Sequence, residues 1–165
     1  IICNFKKKNS MQTLQQLLDK YAESHQNKIN KIIHYFCVPA IFFSIVGLLM
    51  SIPADIITVI TGIKNPLIAN WGVVSLIPVM IFYIRLSLKM TVLILSFTIL
   101  CILGNFQLGI YVNLLQVSIG IFIIAWIVQF YGHKIEGKKP SFLDDIKFLM
   151  VGPAWILDHI FKRKN

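Results

Sequence analysis

Four apolar segments of membrane length dominate the pattern of hydrophobic and polar positions along the chain. They cover residues 34–52, 66–84, 88–103 and 111–131. Polar and turn-forming residues separate them, at 55–64, 85–89 and 104–109. Most of the segments are close to the roughly 20 residues that an α-helix needs to cross a bilayer. The pattern therefore predicts an all-α polytopic membrane protein with about four transmembrane helices.

Amphipathic segments flank this apolar block on both sides. Residues 11–24 repeat apolar side chains at helical spacing, which predicts an N-terminal amphipathic helix on the membrane surface. After the block, Ser141 is a predicted N-cap for a short helix, Gly152-Pro153 ends it, and a second short helix follows. We expect these C-terminal helices to be interfacial and residues 11–165 to form a single integral membrane domain. Residues 1–10 are either upstream sequence, such as a tag, or a basic tail.

The composition agrees with a lipid environment. Hydrophobic residues make up 56% of the chain and charged residues only 14%, and the mean hydropathy is +0.73. Soluble domains are usually about a quarter charged. The net charge of +9 does not indicate a nucleic-acid partner, because the basic residues flank apolar segments and do not line one polar face. The three cysteines are scattered, which predicts neither a disulfide framework nor a zinc site.

The distribution of basic residues predicts the topology. With four spans and both termini on one side, that side collects fifteen of the sixteen Lys and Arg residues, and the other side has Lys64 alone. Cytoplasmic loops carry the excess of positive charge. We therefore expect both termini at the cytoplasmic face, of either a bacterial inner membrane or the endoplasmic reticulum. An even number of spans also brings residues 25–34 and 133–159 to the same face.

All four histidines lie in those two flanking regions. They are His25, His34, His133 and His159. On one unbroken helix His25 and His34, nine residues apart, would point about 180° away from each other. They can share a ligand only if the chain breaks between them, and residues 26–30 supply a polar break, with Asn30 as the predicted N-cap of the helix that follows.

The second histidine region has its own polar neighbours. Gln129 and His133 are four residues apart and His133 and Glu136 are three apart, so they share one helix face. Polar residues near a membrane boundary are costly to bury unless they are paired. Imidazoles gathered at one membrane face suit Fe(II), with Asn, Gln or Glu fixing the ring tautomers. The alternative is that these histidines are interfacial and interact only with lipid headgroups.

Two polar motifs resemble those of a known family. One is Tyr21-Ala-Glu-Ser-His-Gln-Asn-Lys-Ile-Asn-Lys-Ile-Ile-His34 leading into Pro39, and the other is Gln129-Phe-Tyr-Gly-His-Lys-Ile-Glu-Gly-Lys-Lys-Pro140. With the Gly152-Pro153 turn, they resemble the small membrane proteins typified by the fungal 2-hydroxy fatty acid dioxygenase of fatty acid α-oxidation. The resemblance covers about residues 11–160.

This resemblance implies an Fe(II)-dependent dioxygenase that uses O₂ to shorten a long-chain 2-hydroxy fatty acid by one carbon. By position, His25, His34 and His133 match the family's histidines and are the predicted iron ligands. His159 is either a fourth ligand or an incidental neighbour. Asn30 and Glu136 match other motif positions and are the predicted catalytic residues. The alternatives are another iron-dependent lipid oxygenase, which would release a product of unchanged length, or a non-enzymatic membrane protein that binds a metal or a lipid.

Overall fold

All regular secondary structure in the described part of the chain is helical. The structure is a computed structural model, and it describes residues 25–137 together with residues 16, 19, 153 and 156. The helices are α1 (Lys28–Met50), α2 (Asp55–Thr61), α3 (Trp71–Leu86), α4 (Leu88–Tyr111) and α5 (Leu114–Glu136). The all-α prediction is therefore confirmed for these residues. The predicted N-terminal amphipathic helix and the C-terminal interfacial helices lie almost entirely outside them.

The first helix begins earlier than the sequence pattern predicted. Asn27 is its N-cap, and the Asn27 side chain accepts hydrogen bonds from the backbone N–H groups of Ile29 and Asn30. The prediction that Asn30 caps this helix is therefore wrong, because Asn27 provides the same capping group three residues earlier. The helix also begins six residues before the predicted apolar segment at 34–52. As a result Asn30 and His34 both lie within α1, about one turn apart.

The second apolar helix begins later than predicted. Asn70 donates from Nδ2 to the carbonyl oxygens of Pro66 and Leu67, and its Oδ1 accepts from the backbone N–H of Val73. These bonds hold residues 66–70 in a turn and cap the helix at Trp71. The predicted start at residue 66 is therefore wrong, and α3 has 16 residues.

The predicted turn at residues 104–109 is also wrong, because α4 continues to Tyr111 and only two residues separate it from α5. Gly104, which suggested a turn, gives the Phe43 ring room to approach: a Cβ there would lie 3.0 Å from Phe43 Cε2. Asn105 donates hydrogen bonds to the carbonyl oxygens of Phe43 in α1 and Cys101 in its own helix. The small and polar residues of this segment thus serve helix packing.

The helices alternate in direction. α1 and α5 have the most extensive contact and run antiparallel, since His34 lies beside His133 and Gly47 lies beside Ser118. α4 runs parallel to α1, since Phe42 faces Phe97, and Gly47, further along α1, lies beside Asn105, further along α4. α3 is antiparallel, because Gly72 at its start lies against Met50 at the end of α1. The starts of α1 and α4 and the ends of α3 and α5 therefore share one end of the bundle, which we call the histidine end. We call the opposite one the distal end.

The outer surface of the bundle is apolar. Large side chains such as Phe36, Leu100 and Ile124 are 74%, 66% and 65% exposed. Contiguous exposed apolar surface of this kind marks a partner or a membrane. Among the described helices α1, α4 and α5 are long and apolar enough to cross a membrane, and α3 is apolar but shorter. These features are consistent with an integral membrane protein.

Candidate metal centre

Three histidines from separate parts of the chain meet at the histidine end. His34 lies on α1, His133 lies in the last turn of α5, and His25 precedes the Asn27 cap in a non-helical segment. The break predicted over residues 26–30 is present, but it ends at Asn27. Because residues 25–27 are not helical, His25 can turn back towards His34, which one continuous helix would forbid.

The ring nitrogens of these histidines converge. His25 Nε2 lies 3.0 Å from His34 Nε2. One nitrogen from each of the three rings lies within 4.8 Å of the nitrogens of the other two. The ring centroids are 4.3 to 5.7 Å apart, and all three pairs meet edge to face. The rings thus direct nitrogen atoms towards a common centre.

The hydrogen bond of His34 fixes which nitrogen it presents. His34 Nδ1 lies 2.9 Å from the carbonyl oxygen of Asn30, one turn earlier in α1. A carbonyl oxygen can only accept, so Nδ1 carries the proton and donates it. In the neutral ring Nε2 then has the lone pair, and Nε2 is the atom that faces His25. A backbone carbonyl that orients a ring in this way is the usual partner of a metal-bound histidine.

The side chains of the cluster are almost fully buried. His25, His34 and His133 are 2%, 1% and 7% exposed. Polar groups buried at this depth cost free energy unless they are paired or bind a ligand. Within the described residues, this is the group of three His, Cys, Asp or Glu side chains whose spacing fits a metal ion.

The Glu136 carboxylate ties α5 to the segment that carries His25. It accepts hydrogen bonds from the backbone N–H groups of Gln26 and Asn27 at 2.8 to 3.2 Å, and from Asn30 Nδ2 at 2.9 Å. Bonds to an ionised acceptor are stronger than neutral ones. Gly137 then ends α5 with φ of +73°, a conformation that suits glycine. As a result, three donors from residues 26–30, around the start of α1, are bonded to the end of α5.

Gly132 allows the two helices to approach each other beside the histidines. A Cβ at this position would lie 2.5 Å from Asn30 Oδ1 and 3.2 Å from Ile33 Cγ2. Separations under about 3 Å between such atoms are repulsive, so only glycine fits without displacement. The residue that follows is His133. Gly132 therefore determines how closely His133 approaches His34.

Two buried amide oxygens next to the cluster have no hydrogen-bond partner among the described residues. They are Asn30 Oδ1 and Gln129 Oε1. Gln129 lies one turn before His133 on α5. Buried acceptors usually have a donor, which is often a water or a ligand when the protein supplies none. A bound molecule with hydroxyl or water hydrogens would complete this site.

The structure brings together most of the predicted site residues. These are His25, His34 and His133, with Asn30 and Glu136 beside them. His159 lies outside the described residues, and the role of each residue stays a prediction. The sequence did not reveal Gly132 or the backbone donors of Gln26 and Asn27. For Gly132 the only signal in the sequence was its position directly before His133. Backbone donors have no signal in the sequence, because every residue except proline carries an N–H group.

The donor set fits a divalent transition metal. Imidazole nitrogens lie about 2.0–2.1 Å from an ion such as zinc, so two such ligands at a right angle are about 3 Å apart. The separation of 3.0 Å between the Nε2 atoms of His25 and His34 agrees with this spacing. Neutral imidazoles suit iron, copper, nickel or zinc, and the cluster contains no thiolate to favour a softer ion.

A helical bundle with an apolar exterior and three buried histidines at one end defines a class of membrane protein with a candidate metal centre. The family model for Mpo1-like proteins, described as 2-hydroxy-palmitic acid dioxygenase Mpo1-like, matches residues 11–164. The chain therefore belongs to the Mpo1-like family, as its two polar motifs predicted. No curated protein and no solved structure matches the chain.

Proposed function

We propose that this protein is an Fe(II)-dependent dioxygenase that uses O₂ to shorten long-chain 2-hydroxy fatty acids by one carbon. The observation that carries the proposal is the buried cluster of His25, His34 and His133, with nitrogens within 4.8 Å of one another. It occurs in a chain whose family is described by 2-hydroxy-palmitic acid dioxygenase activity. The absence of cysteine from this cluster is in keeping with iron.

In this proposal the chain holds the ion through three imidazoles and keeps their geometry fixed. Bound Fe(II) would supply open coordination positions for O₂ and for the substrate. His34 presents Nε2 because the Asn30 carbonyl holds the opposite N–H. Both Glu136 oxygens already accept N–H groups from the chain. We therefore assign Glu136 and the Nδ2 group of Asn30 a positioning role in place of the catalytic role predicted from the motif, and Asn30 Oδ1 a role in binding the substrate.

The carboxylate of the substrate would bind at the surface of the histidine end. Lys31 on α1 and Lys134 on α5 lie at the same end of the bundle as the histidines and are the candidate partners of the carboxylate. Lysine is a flexible point charge suited to a single carboxylate. The 2-hydroxyl would then lie next to the buried amide oxygens that need a donor, Asn30 Oδ1 and Gln129 Oε1.

The proposed topology has four crossings, with both termini and the histidine end at the cytoplasmic face. The alternating directions of α1, α3, α4 and α5 support it, as does the charge. In the described residues, all Lys and Arg residues except Lys64 lie near the histidine end. α3 is about 24 Å long at 1.5 Å per residue, slightly less than the roughly 30 Å hydrocarbon core.

Lys64→Cys and Ser87→Cys in a cysteine-free background should react with an impermeant maleimide from opposite sides of sealed vesicles. Labelling from the same side would contradict four crossings.

The function is tested by metal content and product together. The protein is purified without chelators, its iron is measured, and 2-hydroxypalmitate is supplied with Fe(II) and O₂ under reducing conditions. We expect about one iron per chain and a product one carbon shorter. His25→Ala, His34→Ala and His133→Ala should each lower both by more than about tenfold. His159→Ala decides whether the fourth histidine is a ligand.

The other outcomes separate the alternatives. A hydroxylated product of unchanged length would indicate another lipid oxygenase. Metal that binds through the same histidines, with no product from any 2-hydroxy acid, would indicate a non-enzymatic metal-binding protein. Wild-type protein with neither iron nor shortened product would overturn the proposal.

A further inference from the structure

An apolar cavity of about 170 Å³, partly open at the surface of the bundle, lies between α1, α3 and α4. Its walls come from Phe42–Leu49 on α1, Ser75–Tyr83 on α3 and Thr98 on α4. The hydroxyls of Ser75 and Thr98 donate to backbone carbonyls of their own helices, those of Gly72 and Ile94. Because these donors are already used, the cavity suits hydrocarbon better than a polar headgroup.

Part of the cavity wall lies on the face of α1 that carries His34. Ile45 and Leu49 are about 20° and 60° from His34 around the helix, whereas Phe42 and Val46 are roughly 80° and 120° away. The α1 wall of the cavity runs from 8 to 15 residues beyond His34. At 1.5 Å per residue this is about 12 to 22 Å from the histidine along the helix axis.

That distance matches the reach of a long acyl chain. One leaflet of a bilayer, which long acyl chains fill, has a hydrocarbon thickness of about 15 Å. A chain whose carboxyl end is held near His34 would therefore have its terminal carbons at the level of the cavity. An apolar cavity of about 150 Å³ accepts benzene, so one of this size has room for roughly six carbons.

A second, smaller gap lies nearer the histidine end. It has about 30 Å³ and is lined by Pro39, Phe97, Pro153 and Ile156. The rings of Phe42 and Phe97, with centroids 5.3 Å apart, stand where the two spaces approach each other. Phe42 lines the larger cavity and Phe97 lines the smaller gap.

We infer that this cavity receives the methyl end of the substrate's acyl chain, and that the side chains lining it set the preferred chain length. The inference rests on the proposed function, since it assumes a long-chain 2-hydroxy acid at the histidine cluster. Ser75 and Phe42 are the specificity-determining residues that it names. Each additional methylene buried in such a site contributes roughly a fourfold factor to binding.

The first experiment fills the cavity. Ser75→Phe places a ring in the space of roughly six carbons, and Ser75→Leu is a milder form of the same change. The matched control is Ser96→Phe, because Ser96 is also a helical serine bonded to its own helix but is exposed and lines none of the described cavities. The value of kcat/KM is measured for 2-hydroxy acids of 10 to 18 carbons and compared across chain lengths. We expect the 16-carbon acid to lose at least about tenfold in Ser75→Phe while the shortest acids keep their rate.

A second measurement does not depend on turnover. A 16-carbon 2-hydroxy acid with a diazirine at its methyl end is photolysed with the metal-free protein, and the label is mapped by mass spectrometry. Label on Phe42–Leu49 or Ser75–Tyr83, reduced by Ser75→Phe and not by Ser96→Phe, supports the inference. A pocket of about 570 Å³ at the distal end, lined by Met50, Asn105 and Asn113 among others, is the alternative place for the tail. Label confined to that pocket, or an equal loss of activity for all chain lengths, overturns the inference. If wild-type protein converts none of the acids, the proposed function fails, and the label alone decides where the tail lies.

Discussion

Replacing Gly132 with alanine should separate the two helices that hold His34 and His133. The new Cβ would lie 2.5 Å from Asn30 Oδ1 and 3.2 Å from Ile33 Cγ2. Asn30 cannot rotate away without cost, because its Nδ2 donates to Glu136. Contact distances near 3.3 Å then require a shift of about 0.7–1 Å between α1 and α5. Overpacking of this kind costs about 1–3 kcal/mol of stability.

The same shift has a larger effect on the metal centre. Functional groups must be held within about 0.5 Å of their working geometry, and disturbed supporting groups typically cost 10- to 100-fold in metal affinity. We therefore expect Gly132→Ala to weaken iron binding by about 10- to 100-fold. Iron affinity is measured by competition with a chelator, and stability by thermal unfolding in the same detergent. Gly120→Ala is the control in the same helix, since no heavy atom outside the local backbone lies within 4 Å of its added Cβ.

A double-mutant cycle tests the cause. Asn30→Ala removes the oxygen that the new Cβ would meet, so Gly132→Ala should cost clearly less stability in that background than in wild type. If the two costs are equal, or if Gly132→Ala and Gly120→Ala behave alike, the close approach at Gly132 does not control the site.

Three further predictions follow from other contacts. Glu136→Gln should lower iron affinity by about 10- to 100-fold, because a neutral amide accepts hydrogen bonds from the three donors less strongly than a carboxylate does. Asp55→Asn, at the distal end, should leave iron affinity unchanged, and the same chelator competition measures both variants. Iron retained after dialysis should fall as the pH is lowered, since protons compete with the metal for the imidazole nitrogens; retention unchanged from pH 8 to pH 5 would argue against histidine ligands. Asn105→Ala should lower thermal stability by about 0.6–2 kcal/mol through loss of its bond to the Phe43 carbonyl, and it should leave iron affinity unchanged because this contact lies far from the histidines.

Hydrophobic periodicity and charge predicted the helices and the meeting of His25, His34 and His133, but not the helix boundaries. Segment length and apolar composition depend on residue type, so the predicted segments at 34–52 and 88–103 correspond to real helices. The boundaries depend on single contacts. Asn27 and Asn30 are equally good caps by residue type, and only tertiary structure shows that Asn30 is needed by Glu136. Gly104 is typical of a turn by residue type, and only the structure shows that it lies within a helix against the Phe43 ring.

The antiparallel pairing of α1 and α5 links the fold to the chemistry of an acid with a long tail. A carboxylate is costly to move into hydrocarbon, so its binding site must lie near the membrane boundary. A long acyl chain has the opposite requirement and needs apolar surface extending well below that boundary. A helix with His34 near its start, paired with a helix that has His133 near its end, meets both requirements, because the histidines lie near the helix ends while the same helices continue through the apolar layer. A parallel pair would place His133 at the distal end and leave His34 without a partner ring from α5.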